Sequence, residues 1–225
     1  MTISAVAVIP AFNEASSISD VVGGLRSSVD HVIVVDDGST DDTANRARQA
    51  GAEVVEHGTN LGKGRAIRTG VARALAGSFT HVLFLDADMQ HLPHEAARLL
   101  EAAAETGADV VIGERQFSRA DMPSSRYHAN RIGSRALSWF VGAPVQDTQC
   151  GFRVFRADAL RPLRLRASGY EIETEMLVKV RRRGGRVAAV PVTAVYTGAH
   201  SKLRPVRDTT RTCFLAVYYR FLERI

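Results

Sequence analysis

"HVLFLDADMQH" (residues 81–91) is an apolar run that ends abruptly in two carboxylates, Asp86 and Asp88. In extended backbone, alternate side chains share a face, so Asp86 and Asp88 can point at the same place and Gln90 can join them. Two carboxylates held together repel each other and raise each other's pKa, and a divalent cation relieves that repulsion. Ligand sets made only of oxygen favour magnesium or manganese over zinc. Two interpretations are therefore open. The aspartates form a metal site, or one aspartate caps the next helix and the other is solvated.

Outward from this stretch, short apolar runs alternate with helical patterns as far as residue 115. Strands are predicted at 5–10, 31–37, 52–57, 81–86 and 108–115. Helices are predicted at 15–28, from Ser39 or Thr40 to Gly51, at 62–77 and at 93–107. Strands rich in Val, Ile and Leu that alternate with helices are typical of a mainly parallel sheet with helices on both faces. The fold class is therefore α/β.

Beyond Arg115 the alternation breaks down, and the predicted elements become more varied. They are a loop at 116–127, a helix at 128–141, a strand of open orientation within 149–156, a helix at 169–185, one or two strands within 186–197, a polar loop at 197–205 and a last helix at 206–224. The sequence has no internal repeat, low-complexity segment or linker, so we expect a single domain.

Polar segments follow three of the predicted strands. They are "PAFNE" (10–14), "DDGSTD" (36–41) and "DADMQ" (86–90). In open parallel sheets, ligands bind beyond the carboxyl ends of the strands. Because these three segments share that edge, they outline a pocket.

Several residues near this edge have competing explanations. Asp36 and Asp37 precede the predicted helix cap, so capping does not explain them, and a carboxylate there can accept hydrogen bonds from a nucleobase or a ribose. Glu14 either caps a helix start or faces the pocket. The glycines around Lys63 suggest a P-loop, but the spacing is one residue short and Gly64 replaces the required Ser or Thr. A glycine-flexed turn that brings Lys63 near a ligand is the remaining interpretation.

Composition and charge limit the classes of protein that fit. The chain has 225 residues, of which 45% are hydrophobic and 24% charged, as in an average globular protein. No apolar run reaches the roughly 18 residues that span a bilayer, and the N-terminus lacks the pattern of a signal peptide. We therefore expect a cytoplasmic protein in which Cys150 and Cys213 are reduced.

Charge is distributed unevenly along the chain. Residues 1–150 carry 13 Lys and Arg against 18 Asp and Glu, whereas residues 151–225 carry 16 against 6. The acidic part can hold a cation. The basic part can face phosphates, a nucleic acid or an anionic membrane surface, or it can be a solvated face.

Taken together, these segments resemble glycosyltransferase family 2, whose members have the GT-A fold. The segments that carry the resemblance are "IPAFNE" (9–14), "VVDDGSTD" (34–41), "NLGKG" (60–64), "LDADMQH" (85–91), "IGER" (112–115), "DTQCGFR" (147–153), "GYEIETEML" (169–177) and "HSKL" (200–203). The later ones are similar to polyprenyl-phosphate glycosyltransferases of the dolichyl-phosphate mannosyltransferase type. The resemblance implies one GT-A domain at 1–225, with a nucleotide- and metal-binding half at 1–115, an acceptor half at 116–205 and an amphipathic helix at 206–225.

The resemblance also implies roles for individual residues. The nucleotide-sugar donor would contact Pro10, Phe12, Glu14, Val35, Asp37, Lys63, Asp86, Ala87, Asp88, Gln90, Ser201 and Lys202, with Mg2+ or Mn2+ on Asp86, Asp88 and Gln90. The acceptor phosphate would contact Arg115, Arg131 and Ser134. The catalytic residues would be Asp88, Arg115, Asp147 and Glu173, with Gln149 near the reacting sugar. Residues two apart do not share a helical face, so only one or two of Glu171, Glu173 and Glu175 are expected to face the pocket.

The chemistry of the family is one displacement with inversion at the anomeric carbon. Negative charge builds on the leaving diphosphate, where a metal and Lys or Arg groups stabilise it. A hydroxyl acceptor would need a general base, either Asp147 or one of the glutamates. A phosphate acceptor, with a second pKa of about 6, is already largely anionic at neutral pH and needs cations to hold it.

The resemblance favours polyprenyl phosphate as the acceptor. Two alternatives stay open: a family 2 enzyme with a saccharide or small hydroxyl acceptor, and a non-catalytic module that binds a nucleotide sugar. No recognisable motif with aromatic residues among basic ones is present, so we expect no nucleic-acid partner.

The predicted C-terminal helix is relevant to whether the acceptor is a lipid. Its apolar residues Phe214, Val217, Tyr218 and Phe221 follow helical spacing, and its aromatic rings and arginines suit a membrane interface. Packing in the core or against a second copy is the alternative. We expect location at the cytoplasmic face of the membrane, through a peripheral contact or a separate membrane partner.

Overall fold

The computed structural model describes residues 3–115, 147, 150–195 and 218. Its strands are β1 (Ala5–Ala11), β2 (His31–Asp36), β3 (Glu53–Glu56), β4 (His81–Phe84), β5 (Val110–Arg115), β6 (Arg153–Arg156) and β7 (Val187–Val192). Its α-helices are α1 (Ile18–Leu25), α2 (Thr43–Gln49), α3 (Lys63–Leu75), α4 (Ala96–Thr106), α5 (Ala157–Leu160) and α6 (Ile172–Arg182), with a 3-10 turn at Pro93–Glu95 before α4.

The strands form one mixed sheet in the order β3-β2-β1-β4-β6-β5-β7. Neighbouring strands are parallel except at β6, which runs antiparallel to both β4 and β5. The predicted α/β class and mainly parallel sheet are confirmed, and the strand of open orientation is the antiparallel one. Because β6 runs against its neighbours, it begins at the edge where β4 and β5 end.

The centre of the sheet is covered on both faces. Residues 6–9 of β1 have no solvent exposure, which explains why the strand is apolar throughout instead of alternating. On one face, α3 packs closely against this strand, since a Cβ added at Gly70 would lie 2.3 Å from Cγ1 of Val8. The buried sheet is a rigid support for the polar residues at its edge.

The second helix begins later than the sequence predicts. It starts at Thr43 because Ser39 and Thr40 make other contacts. The Ser39 hydroxyl donates to Oδ1 of Asp36, and the Thr40 N–H donates to Oδ1 of Asn13 at 2.8 Å. Asn13 has a φ of 54°, and its N–H donates to the Ser39 hydroxyl oxygen at 2.9 Å. The turns after β1 and β2 are thus bonded to each other.

Several predicted elements lie outside the described residues. They include the helices at 128–141 and 206–224 and the loops at 116–127 and 197–205, apart from Tyr218, which is half-buried and packs against the hydrophobic core. The division into a nucleotide half, an acceptor half and a C-terminal helix stays a prediction. Among the helices of 3–115 and 150–195, none is both long and apolar enough to cross a bilayer.

Candidate active site

Charged side chains from several elements meet at the carboxyl edge of the sheet. Asp37, Asp86 and Arg115 come from the ends of β2, β4 and β5, where ligands bind in open parallel sheets. Lys63 is the first residue of α3, and Glu173 lies in the first turn of α6. Residues far apart in the sequence are thereby brought to one place.

Lys63 links two carboxylates from different elements. Its Nζ lies 2.7 Å from Oδ1 of Asp86 and 2.7 Å from Oε1 of Glu173. Burial opposes ionisation of Asp86, but the ion pair with Lys63 outweighs it and holds the pKa of Asp86 below its ordinary value. Burial also disfavours the charged lysine, yet Asp86 and Glu173 raise the pKa of Lys63 well above its ordinary value. Lys63 and Asp86 are therefore both charged at neutral pH.

Asp88 has a different environment, although only Ala87 separates it from Asp86. The strand ends at Phe84, two residues earlier than predicted, and Met89 has a φ of 57°, so the aspartates lie on a turn and not in extended backbone. Within the described part of the chain, one hydrogen bond reaches the Asp88 carboxylate, from the Gln90 N–H to Oδ1 at 3.0 Å. Burial, followed by repulsion from Asp86, raises the pKa of Asp88. Asp86 is neutralised by a lysine, whereas Asp88 is not.

This donor set fits a magnesium or manganese ion. Asp88 is a hard oxygen ligand whose negative charge a cation would stabilise, and Asp86 lies beside it. In the described ranges, no three Asp, Glu, His or Cys side chains form a metal-binding group. Magnesium in proteins is commonly held by one or two carboxylates, with substrate phosphates and water completing the shell, so two aspartates are enough. The main-chain hydrogen bond from Gln90 to Asp88 keeps Gln90 next to the aspartates. The role of Gln90 as a metal ligand stays a prediction.

Asp37 is buried and has internal partners. Its Oδ1 accepts the Leu61 N–H at 3.0 Å and lies 2.7 Å from Nδ1 of His57, and its Oδ2 accepts the Gly62 N–H at 2.8 Å. These bonds fix the segment before α3 and so place Lys63. A contact of Asp37 with the donor stays a prediction.

Arg115 and Asp147 form a second ion pair at the same edge. Nε of Arg115 donates to Oδ2 of Asp147 at 2.5 Å and Nη2 donates to Oδ1 at 2.9 Å. This bidentate geometry fixes the guanidinium plane. The Asp147 side chain is 4% exposed, so the pair is shielded from water on its carboxylate side.

The three glutamates near the start of α6 point in different directions. Glu173 joins the ion pairs described above, whereas Glu175 is fully buried and pairs with Lys179 at 2.7 Å. Glu171 accepts the Gly169 N–H at 3.2 Å. Of the three, the geometry brings Glu173 to Lys63.

The remaining residues expected at the donor are among those that the structure describes, and their contact with the donor stays a prediction. They are Pro10, Phe12, Glu14, Val35 and Ala87. Pro10 and Val35 are direct neighbours in the sheet register, and Ala87 is buried. Burial, the charge of Asp86 and then the charge of Glu14 raise the pKa of Asp88, so Glu14 lies close enough to add to the local negative potential.

Five residues expected to contact substrates lie outside the described residues. They are Arg131, Ser134, Gln149, Ser201 and Lys202. Their contacts with donor or acceptor stay predictions.

Two residues that sequence analysis overlooked belong to the segment "DTQCGFR". Arg153 has no solvent exposure and donates from Nε to the Cys150 carbonyl at 2.6 Å and from Nη1 to the Glu173 carbonyl at 2.7 Å. A Cβ added at Gly151 would lie 2.7 Å from Oδ2 of Asp86 and 3.1 Å from Oε1 of Glu173, so a larger residue there would displace these carboxylates. The one signal in the sequence is an arginine inside the apolar run "GFRVF".

Cys150 lies next to the site without the character of a nucleophile. It is a buried free thiol whose Sγ is 3.4 Å from Nε2 of His91. Burial, with a contribution from Asp147, raises the pKa of the thiol to about 12. The sulfur therefore stays protonated at neutral pH.

Sequence comparison gives close relatives over most of the chain. Residues 6–164 match the sequence profile described as Glycosyl transferase family 2. Glycosyltransferase AglJ of Haloferax volcanii is 36% identical over 219 residues, which cover 94% of this chain and 70% of that protein. Undecaprenyl-phosphate mannosyltransferase of Micrococcus luteus is 35% identical over 201 residues, which cover 84% of this chain and 82% of that protein.

The fold also matches solved structures. Glucosyl-3-phosphoglycerate synthase from Mycobacterium tuberculosis, in complex with Mn2+ and UDP-glucose, superposes with a TM-score of 0.74 and 26% identity. The match covers 97% of this chain and 79% of that one. That protein holds a divalent metal and a nucleotide sugar in a fold similar to this one.

Proposed function

Since the chain belongs to glycosyl transferase family 2, has the GT-A fold and is a glycosyltransferase, we propose that it transfers a sugar from a nucleotide-diphosphate donor to polyprenyl phosphate. The transfer is one displacement that inverts the anomeric centre. The name of the Micrococcus luteus relative, an undecaprenyl-phosphate mannosyltransferase, supports this class of acceptor. A peripheral membrane contact or a membrane partner follows from it as an expectation.

The observation that carries the proposal is that Asp147 and Glu173, the candidate general bases that lie with Arg115 and Lys63 at this edge, are both engaged in ion pairs. Glu173 lies 2.7 Å from the Lys63 ammonium, and Asp147 accepts two hydrogen bonds from Arg115. A hydroxyl acceptor needs a carboxylate that takes its proton as it attacks. A phosphate monoester, with a second pKa of about 6, is already largely an anionic nucleophile at neutral pH. The site therefore suits a phosphate acceptor, which does not have to lose a proton as it attacks.

Lys63 is placed to stabilise the leaving group. Its ammonium lies at the N-terminus of α3, where the helix dipole adds partial positive charge. Negative charge develops on the diphosphate as its bond to the anomeric carbon breaks, and fixed cations nearby lower that barrier. Mg2+ or Mn2+ held by Asp86 and Asp88, with Gln90, would supply a Lewis acid at the same diphosphate.

Arg115 supplies a fixed cation on the acceptor side. Asp147 holds its guanidinium in one orientation through two hydrogen bonds, so the group needs little reorganisation to meet a phosphate. Arg131 and Ser134 would add contacts to the same phosphate. In this arrangement Asp147 orients Arg115 and does not act as a base.

The test compares acceptors that differ in one group. The protein is incubated with labelled nucleotide sugars and Mg2+ or Mn2+, together with a polyprenyl phosphate or with the matching polyprenol. We expect organic-extractable label with the phosphate and none with the alcohol, and the donor that gives it identifies the sugar. Label on the polyprenol, or label only in the aqueous phase, would contradict a lipid phosphate as acceptor.

A hydroxyl acceptor is the second candidate. It is favoured by the similarity to glucosyl-3-phosphoglycerate synthase, whose fold superposes on this one. Phosphoglyceric acid added to the same incubations tests this alternative, with aqueous glycosylated product as the outcome in its favour.

A further inference from the structure

A buried arginine joins two segments of the active site. Arg153 has no solvent exposure, although a buried charge costs several kcal/mol unless it is well hydrogen-bonded. Its Nε donates to the Cys150 carbonyl at 2.6 Å, and its Nη1 donates to the Glu173 carbonyl at 2.7 Å. Both acceptors are main-chain atoms, so the guanidinium fixes the position of the backbone at these two residues.

Each of these carbonyls belongs to a segment that carries a charged residue of the site. The N–H of Cys150 donates to the carbonyl of Asp147 at 3.4 Å, so the main chains of Cys150 and Asp147 are held together. Glu173 lies in the first turn of α6, and its carboxylate reaches Lys63. Arg153 therefore spans the distance between the segment of Asp147 and the segment of Glu173.

The arginine is itself anchored in the sheet. It is the register partner of Phe84 in β4 and of Ile112 in β5, two of the strands that end at the active-site edge. Space between the segments is tight, because a Cβ at Gly151 would lie 2.7 Å from Oδ2 of Asp86. The same Cβ would lie 3.1 Å from Oε1 of Glu173, so both carboxylates pack closely against the main chain at Gly151.

We propose that Arg153 is a positioning residue for sugar transfer. It holds the first turn of α6 at a fixed distance from Cys150 and thereby sets the Glu173 carboxylate against Lys63. A planar guanidinium can donate to two carbonyls in fixed directions, which the single ammonium of a lysine cannot reproduce. The inference rests on the proposed glycosyl transfer but is independent of which acceptor the protein uses.

The test begins with matched variants on one strand. Arg153→Lys keeps the charge, and Arg156→Lys is the control, since Arg156 lies at the other end of β6 and forms a half-exposed ion pair with Asp109. We expect Arg153→Lys to lower kcat by about tenfold or more, because small displacements of reacting groups are costly. Affinity for the nucleoside diphosphate of the donor should fall by less than kcat, since Lys63 keeps its ion pair with Asp86 and its position at the start of α3. Arg156→Lys should leave both quantities unchanged.

A double-mutant cycle with Glu173→Gln separates positioning from general stability. If Arg153 acts through Glu173, Arg153→Lys should have much less effect on kcat in the Glu173→Gln background than in the wild type. Three results would overturn the proposal. They are multiplicative losses of kcat in the double variant, an unchanged kcat in Arg153→Lys, and an affinity for the donor's nucleoside diphosphate that falls as much as kcat. If thermal melting shows that Arg153→Lys is unfolded at the assay temperature, Arg153→Gln replaces it in the same cycle.

The cycle uses whichever acceptor the wild-type protein glycosylates. If the protein does not glycosylate polyprenyl phosphate, the proposed acceptor is wrong. The role of Arg153 is then still tested by the double-mutant cycle with the acceptor that the protein does use.

Discussion

Two aspartates separated by a single alanine have opposite electrostatic environments in this fold. Lys63 lowers the pKa of Asp86 against the effect of burial, whereas burial and the charge of Asp86 raise the pKa of Asp88. One carboxylate is thus neutralised within the protein, and the other is left to be neutralised by a ligand. Asp88 is the residue at which function is expected to depend on a bound cation.

Replacing Asp88 should separate activity from stability. In Asp88→Asn, we expect turnover to fall by about 100-fold or more, as when one preorganised charge-stabilising group is lost. The free energy of unfolding should stay unchanged or rise, because the ionised Asp88 repels Asp86 at neutral pH. Initial rates and thermal melts measure the two effects, with the exposed Asp158→Asn as control. Wild-type turnover in Asp88→Asn would refute the metal assignment.

Lys63 should contribute stability that depends on pH. A lowered pKa of Asp86 means that this contribution is present above the ordinary pKa of an aspartate and is lost as the pH falls through the pKa in the folded state. Lys63→Met should therefore destabilise the protein by on the order of 2 kcal/mol at pH 7. This value is already reduced for the weaker ion pair of an Asp86 side chain that is partly exposed to solvent.

The difference in melting temperature between wild type and Lys63→Met should be constant from neutral pH down to about 4, the ordinary pKa of an aspartate, and should narrow as the pH is lowered below it. Lys63→Arg, which keeps the charge, should lose less stability at neutral pH. A difference that stays constant below about pH 4 as well would show that packing, and not the ion pairs, is what Lys63 contributes.

Among the elements, α1 offers a matched pair of substitutions. An added Cβ at Gly23 would meet no atom within 4 Å, whereas one at Gly24 would lie 2.9 Å from Cβ of Pro93. Gly23→Ala should stabilise the protein by about 0.5–1 kcal/mol through helix propensity. Gly24→Ala should destabilise it, since Pro93 is buried and must shift. Chemical denaturation measures the free energy of unfolding of both variants. A Gly24→Ala variant more stable than Gly23→Ala would contradict the packing of α1 against Pro93.

Element type was predictable from the sequence where the local pattern is strong. The apolar runs of β1, β2 and β5 and the helical periodicity of α3 and α6 correspond to the observed elements. Boundaries failed where long-range contacts compete with local preference. Ser39 and Thr40 are good helix caps, but they bond to Asp36 and Asn13, so α2 starts at Thr43.

The same distinction applies to the candidate site. The rule that ligands bind beyond strand ends located Asp86 and Asp88 without a structure, and the interpretation of a glycine-flexed turn brought Lys63 near a ligand. Arg153 was overlooked because it lies at the beginning of a strand, and only the antiparallel pairing of β6 brings it to this edge. Nothing local predicts that Lys63 contacts Glu173, since 110 positions separate them in the sequence.

In the whole molecule, the active site lies where the acidic and basic parts of the chain meet. Asp86 and Lys63 come from the acidic part, and Arg153 and Glu173 come from the basic part. The family and the GT-A fold implied by the sequence segments are confirmed by the family profile and by the superposed structures. The proposed acceptor follows from the pairing of Glu173 with Lys63 and of Asp147 with Arg115, which leaves neither carboxylate without a cation.

Phosphorus-31 NMR of the purified product tests this account most directly. The account predicts that the acceptor phosphate changes from a monoester to a diester, with the sugar attached through a phosphate oxygen and its anomeric configuration opposite to that in the donor. A glycosylated product whose phosphate is still a monoester, with the sugar on a hydroxyl oxygen, would contradict it.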